Sequence, residues 1–324
     1  LSLWHTDNLS YTLRRFVKGE MIMWFVFALI TAFAWGGADL FYKKGSDSSD
    51  RFSHIKIVII VGLVMGIHGI AYMLITGITF DPMDLVRYFP VSALYILSMT
   101  IGYIGLRYLE LSIASPVQNS SGAITAILLF IFFTHELGML EILGIVIITL
   151  GVIGIAILEK KAENNALRAN STLIDKKYQI GFIAIIFPIL YSLIDGLGTF
   201  ADAIYLDEMK LISEDGALLA YEFTFFICAV LSFIYLKFIR KEKFNVFKER
   251  DKGLAAILET AGQFFYVFAM SSNAIIAAPL IASYSIFSVI LSRIFLKEKL
   301  SKLQYAVIIV VILGIALLGI ADEM

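Results

Sequence analysis

The sequence is poor in charge: only 16% of its 324 residues are Asp, Glu, Lys or Arg, against roughly 25% in an ordinary soluble domain. It has one cysteine, Cys228, and four histidines, His5, His54, His68 and His135, far apart in the chain. That scarcity excludes a disulfide framework and the Cys/His spacings of a zinc site. The 26 Lys+Arg and 27 Asp+Glu nearly cancel, so there is no basic excess to attract nucleic acid and no acidic disordered tail. No H-E-x-x-H, G-x-S-x-G or G-x-x-x-x-G-K-[ST] occurs. The sequence therefore offers neither a zinc-hydrolase helix, nor a nucleophile elbow, nor a loop for direct drive by ATP. It implies no catalytic residue, no metal and no cofactor.

Apolar residues are what it has, at 59% with a mean hydropathy of +0.85. A membrane-spanning helix needs about 20 mostly apolar residues. The sequence offers roughly ten such runs, near 22–42, 55–76, 86–106, 114–133, 139–158, 179–201, 217–236, 253–270, 274–295 and 304–321. The expectation is an all-α integral membrane protein, multi-pass in the cell membrane. The first run follows Arg14, Arg15 and Lys18 but lacks a small-residue cleavage site and carries Trp35 and Asp39, so it reads as a retained helix, not a signal peptide. Met21 and Met23 directly precede that run, and residues 1–20 are expected to be a non-native or disordered extension.

The most polar internal stretch, with Lys160, Lys161, Arg168, Lys176 and Lys177, divides the chain. Residues 21–158 form a first five-helix unit, 159–178 a basic linker and 179–324 a second five-helix unit. The units read as copies at an offset of 163 residues. Ile113-Ala114-Ser115-Pro116 aligns with Ile276-Ala277-Ala278-Pro279, Tyr103 with Tyr266, Ser120 with Ser283 and Leu150-Gly151 with Leu313-Gly314. A one-residue slip sets Thr134-His135-Glu136-Leu137 against the Leu296–Leu300 segment. A copy with an odd number of helices must enter the membrane upside down relative to the first, which gives an inverted repeat of the kind that encloses a midplane transport site.

With Phe33-Ala34-Trp35-Gly36-Gly37 in the first run, two Ala/Ser-Pro helix starts at Pro116 and Pro279, and Glu298-Lys299-Leu300-Ser301 before a Gly-rich last run, the chain resembles the drug/metabolite transporter superfamily and its ten-helix EamA type. The resemblance covers nearly all of residues 21–321. It implies two inverted five-helix repeats around a central cavity that moves small metabolites or drugs. It also implies cytoplasmic termini. Charge placement argues the reverse, since the connections after helices 1, 3, 5, 7 and 9 hold 21 of the 26 Lys+Arg, and such residues favour the cytoplasmic side.

Ionisable groups at membrane depth cost about 2.5–3.5 kcal/mol on insertion scales and usually face a cavity or a partner. Glu259 lies inside the eighth run, with Gln263 and Tyr266 at i+4 and i+7 on one helix face. Asp195 shares a stripe with Tyr191, Thr199 and Asp202, and Asp195-Gly196-Leu197-Gly198-Thr199 is similar to the acidic Glu-x-x-Gly-Thr of the small multidrug resistance branch, whose glutamate exchanges protons for cations. In the other half Trp35 stands in the matching place. Asp39 has Lys43 at i+4, which favours an intrahelical ion pair over substrate contact. Glu222 reads as interfacial, and His68 as a lone hydrogen-bonded core histidine. Gly62 and Gly66, like Ser98 and Gly102, have small-xxx-small packing spacing.

The expected proton or cation sites are thus Glu259, Asp195 and Asp39. Trp35, Tyr95, Tyr103, Tyr191, Tyr266 and Tyr284 offer aromatic faces, which attract cations by up to about 2 kcal/mol when desolvated. Asn119 and Ser283, near the two prolines, and Gln263 complete the expected substrate contacts. The reading is a secondary transporter for a cationic or amphiphilic small molecule, coupled to protons and working as a monomer or homodimer. Uncoupled or exchange transport of a neutral or zwitterionic metabolite is the runner-up. An intramembrane lipid-modifying enzyme and a membrane scaffold are remote alternatives. Ten crossings put both ends on one side, so reporters fused to the two termini should read the same compartment; opposite readings would remove one helix from the count.

Overall fold

The computed structural model describes residues 3–47, 49–135, 137–169, 184, 186–298 and 300–323, and side chains only from residue 23 onward. Most of the basic linker, Glu136 and Lys299 lie outside the described residues or side chains. The helices are α1 (Leu3–Gly45), α2 (Ser53–Thr76), α3 (Met83–Arg87), α4 (Phe89–Gly105), α5 (Leu111–Gln118), α6 (Ser121–Phe132), α7 (Met139–Ala169), α8 (Ile186–Ala203), α9 (Glu214–Ile234), α10 (Arg250–Ala282), α11 (Tyr284–Leu291) and α12 (Lys302–Glu323). No strand occurs among the described residues. The helix of α1 reaches back to Leu3, through most of the segment expected to be an extension.

Among the described residues, seven apolar spans are long enough to cross a membrane. One of them, Arg250–Leu296, has 47 residues, about 70 Å of helix at 1.5 Å per residue. It folds back at Asn273, whose φ of −163° and ψ of 76° leave the helical region. The Trp35 ring records the reversal, lying 5.1 Å from Tyr266 and 5.7 Å from Tyr284, residues that a straight helix would hold about 27 Å apart. With the shorter apolar helices Phe89–Gly105 and Lys302–Leu318, the described residues make ten crossings. Face 1 of the bundle carries the 77–88 connection and face 2 the 46–52 turn.

The inverted repeat is visible in the backbone. Ser120, between α5 and α6, has φ −63° and ψ −8°; Ser283, its counterpart at the offset of 163, separates α10 from α11 with φ −66° and ψ −5°. Glu110, which precedes α5, corresponds to Asn273, which precedes the returning limb of α10. The two prolines are therefore not helix starts as expected. Pro116 and Pro279 each lie five residues beyond a start, at Leu111 and Ala274, inside their helices. Proline there removes a backbone donor, and each helix breaks within one turn after it.

Helix ends at membrane depth need partners for their unpaired backbone groups. The Glu298 carboxylate accepts from the amides of Leu111 and Ser112 at 3.1 and 2.9 Å. Asp207 accepts from the amide of Ala274 at 2.8 Å. Lys43 donates to the carbonyls of Leu106, at 2.8 Å, and Leu109 just beyond the end of α4. Three further ends close alike: Lys210, Lys241 and Lys297 take positive φ, and the next residue donates six positions back, to Tyr205, Leu236 and Ser292, one residue longer than a Schellman closure because each helix ends in a π turn.

Close approach of small residues holds the helices together, as expected where lipid weakens any hydrophobic drive between them. On α2, a Cβ added at Gly62 would lie 2.2 Å from the Phe225 carbonyl oxygen, and one at Gly66 would lie 2.5 Å from the Phe226 ring. On α7, Gly144 and Gly151 seat Leu318 and Val311 of α12. The outward faces carry exposed Ile67, Leu150, Leu231 and Leu313, a surface suited to lipid. Gly62→Ala should cost about 1–3 kcal/mol through overpacking, read as a lower unfolding temperature in detergent; wild-type stability would mean that α2 and α9 can separate freely.

Candidate functional site

Seven crossings converge on one central cavity of about 60 Å³: α1, α4, the broken α5–α6 pair, α8, α9, the outgoing limb of α10, and its returning limb with α11. That is room for about five waters, taking ~12 Å³ per water centre. Eleven of the twelve residues named from the sequence line it: Trp35, Asp39, Tyr95, Tyr103, Asn119, Tyr191, Asp195, Glu259, Gln263, Tyr266 and Tyr284. Ser283 does not. It is buried at the helix break, where its hydroxyl donates to the Leu280 carbonyl at 2.5 Å, a bond that offsets part of the break's backbone loss.

The three acids differ in surroundings. Asp39 is 8% exposed and accepts from Ser115 at 2.5 Å and Ser288 at 2.7 Å. These bonds replace the expected ion pair with Lys43, whose ammonium instead serves the carbonyls after α4. Asp195 accepts from Ser98 at 3.2 Å. Glu259 is 7% exposed, and no hydrogen bond to its carboxylate occurs among the described residues. Its backbone carbonyl accepts from the Trp35 indole at 3.2 Å, which fixes α1 to α10 beside the cavity. No Lys or Arg lines the cavity among the described residues, so its charge is acidic. The Gln263 Nε2 is buried without a hydrogen-bond partner among the described residues, leaving a donor at the cavity wall.

Toward face 1 the cavity is sealed by a tyrosine layer. Tyr95 and Tyr266 share a hydrogen bond of 2.6 Å, and Tyr95 donates to Thr199 at 3.1 Å. Beyond them Tyr88 donates to Asp202, with Tyr205 edge-on to Tyr88 at 5.9 Å. Toward face 2 the rings of Tyr42 and Tyr103 meet at 4.8 Å. Sequence reasoning missed Tyr42 and Tyr221 as lining residues. Tyr42 was findable, since it lies seven residues from Trp35 on the same helix face, whereas Tyr221 has only the adjacent Glu222 to mark it. The matched helix breaks also correct the pairing of Trp35 with Asp195. The offset sets Ala32 opposite Asp195, and Asp39 opposite Asp202, so one repeat-related acid faces the cavity while its counterpart is locked to tyrosine.

The sequence of the EamA-like transporter family matches residues 22–157 and again 182–320, one match for each half. The chain belongs to the EamA-like transporter family. A solved structure described only as "Crystal structure of protein" superposes with a TM-score of 0.62 at 12% identity, over 91% of this chain and 95% of its own, which bears on the fold alone. No curated protein matches by sequence. The EamA-like chain is thus a multi-pass membrane transporter of solutes, and its central cavity is the candidate solute site.

Tyr95→Phe removes two hydroxyl contacts of the seal and should cost about 1–2 kcal/mol. A cysteine at Thr199, in a Cys228→Ser background, should then react faster with a water-soluble maleimide. An unchanged labelling rate would locate the seal elsewhere.

Proposed function

We propose that this EamA-like protein is a secondary transporter of a small cationic or amphiphilic solute, coupled to protons through Glu259, Asp195 and Asp39. The observation that carries the reading is the convergence of three carboxylates on one cavity lined by no Lys or Arg among the described residues. Burying like charges without a counter-ion is costly. The cavity is relieved either by protons or by a solute cation, and that competition is the coupling. When protonated, Glu259 loses its attraction for a cation; when ionised, it attracts the cation again. Trp35, Tyr266 and Tyr284 stand against one another and present ring faces suited to an ammonium or guanidinium group.

Glu259 takes the leading role because its carboxylate is free of protein hydrogen bonds among the described residues. Asp39, held by two serine hydroxyls, and Asp195, held by Ser98, have donors that offset part of the cost of burying their charge, and both add to the acidic field. One chain encloses the whole cavity, so the transporting unit is the single chain, alone or within a homodimer. We place it in the cell membrane.

The unpartnered Gln263 amide favours a second reading, uncoupled or exchange transport of a neutral or zwitterionic metabolite whose oxygen would accept from it. The two readings differ in pH dependence. Cations should stabilise the purified protein against heat more at about pH 8 than at about pH 6, because binding to the folded state raises apparent stability. Glu259→Gln should weaken cation binding about tenfold at the higher pH, the loss expected for one charged partner, and flatten the pH dependence. PH dependence retained in Glu259→Gln removes that residue from coupling. Uptake into proteoliposomes that ignores an imposed proton gradient selects the second reading.

A further inference from the structure

Away from the cavity, the seam between the two halves holds a buried carboxylate that the transport site does not use. Glu222 of α9 is fully buried. Its Oε1 lies 2.7 Å from the Nδ1 of His68 on α2, while its Oε2 is buried without a hydrogen-bond partner among the described residues. The His68 side chain is 34% exposed and covers the carboxylate from outside. Gly69 leaves the space that the acid fills, since a Cβ there would lie 3.0 Å from Oε2. His68 lies eight residues before the end of α2 and Glu222 eight after the start of α9. Both are therefore about 12 Å from face 1 along their helices. His68 is not the lone histidine, nor Glu222 the interfacial acid, that the sequence suggested.

Other groups extend the arrangement toward face 1. Tyr72, one turn beyond His68, stacks on the imidazole at 6.1 Å with a 16° interplanar angle and donates to Asp215 at 2.6 Å. From α10, Phe264 meets both rings edge-on, at 5.9 and 5.7 Å. From α3, Asp84 approaches Gly216 at the start of α9 and is bonded to Arg87. The charged and titratable neighbours are thus Tyr72 on α2, Asp215 on α9, and, nearer the face, Asp84 with Arg87; α10 presents an apolar ring.

We propose that His68 and Glu222 form a proton-binding site in the seam between the repeats, separate from the transport cavity and opening toward face 1. With the imidazole neutral, the pair holds one uncompensated negative charge in apolar surroundings. One proton on His68 cancels it and turns the contact into an ion pair joining α2 to α9. A neutral partner could satisfy a carboxylate by hydrogen bonding alone, but Oε2 has none, which is why the net charge matters here. The proton-loaded seam is the tighter one, so its contribution to stability is present at low pH and lost as pH rises through the titration of the pair.

The test uses full-length protein labelled with ¹⁵N-histidine, where His68→Asn identifies the His68 signal. That signal should titrate. Glu222→Gln should lower its midpoint by about one pH unit or more, a tenfold change in proton affinity. Glu259→Gln should leave it in place, which separates this site from the cavity. The difference in unfolding temperature between wild type and His68→Asn should shrink as pH rises, a readout that does not need Glu222→Gln to fold. A His68 signal that does not titrate, a midpoint shifted by Glu259→Gln or indifferent to Glu222→Gln, or a temperature difference flat with pH would each overturn the proposal.

Discussion

A polar backbone group in apolar surroundings has to find its hydrogen bond inside the protein, and the course of this chain follows from how that requirement is met. Helices satisfy it along their length, so the demand concentrates at ends and breaks. The repeat places a break at Ser120 and another at Ser283, and two starts at Leu111 and Ala274. Carboxylates from other segments, Glu298 and Asp207, then fill the starts. The breaks matter because they let α5–α6 and α10–α11 bend around the centre of the bundle. The reversal at Asn273 does the larger work, since without it Tyr266 and Tyr284 would lie too far apart to share Trp35.

The cavity shows how the same economy treats charge. Asp39 is tied to serines from α5 and α11, which joins both halves at one carboxylate. Its repeat counterpart, Asp202, is tied to Tyr88 within a layer that closes the other end. Equivalent acids in equivalent helices thus do different things, one exposed to the solute space and one enclosed. This difference gives an approximately symmetric pair of halves an asymmetric cavity, which reaches Asp39, Tyr42 and Leu106 toward face 2 but stops at Tyr95 and Tyr266 toward face 1.

Much of this was legible in the sequence, for identifiable reasons. Apolar length fixes the number of crossings, and the recurrence of Ala/Ser-Pro, Tyr and Gly at a constant offset reveals the repeat. Acids within apolar runs have few places to go, so Asp39, Asp195 and Glu259 could be assigned to the centre without a structure. The failures were those of partners distant in sequence. Local spacing paired Asp39 with Lys43, whereas serines 76 and 249 residues away bind it. His68 was read as alone because its partner is 154 residues on. The prolines were misplaced because the true starts, after Glu110 and Asn273, carry no serine or threonine cap and are completed from elsewhere.

The contact between Gly62 and Phe225 has a further consequence. These positions are counterparts at the offset of 163, and they touch, so the pseudo-twofold axis relating the halves passes between them. Anywhere else, a duplicated gene can keep the same residue in both copies. On the axis it cannot keep a bulky one, because the side chain would collide with its own duplicate. Gly62 opposite Phe225 meets that constraint by carrying the bulk in one half only, so the seam closes because the two halves differ there.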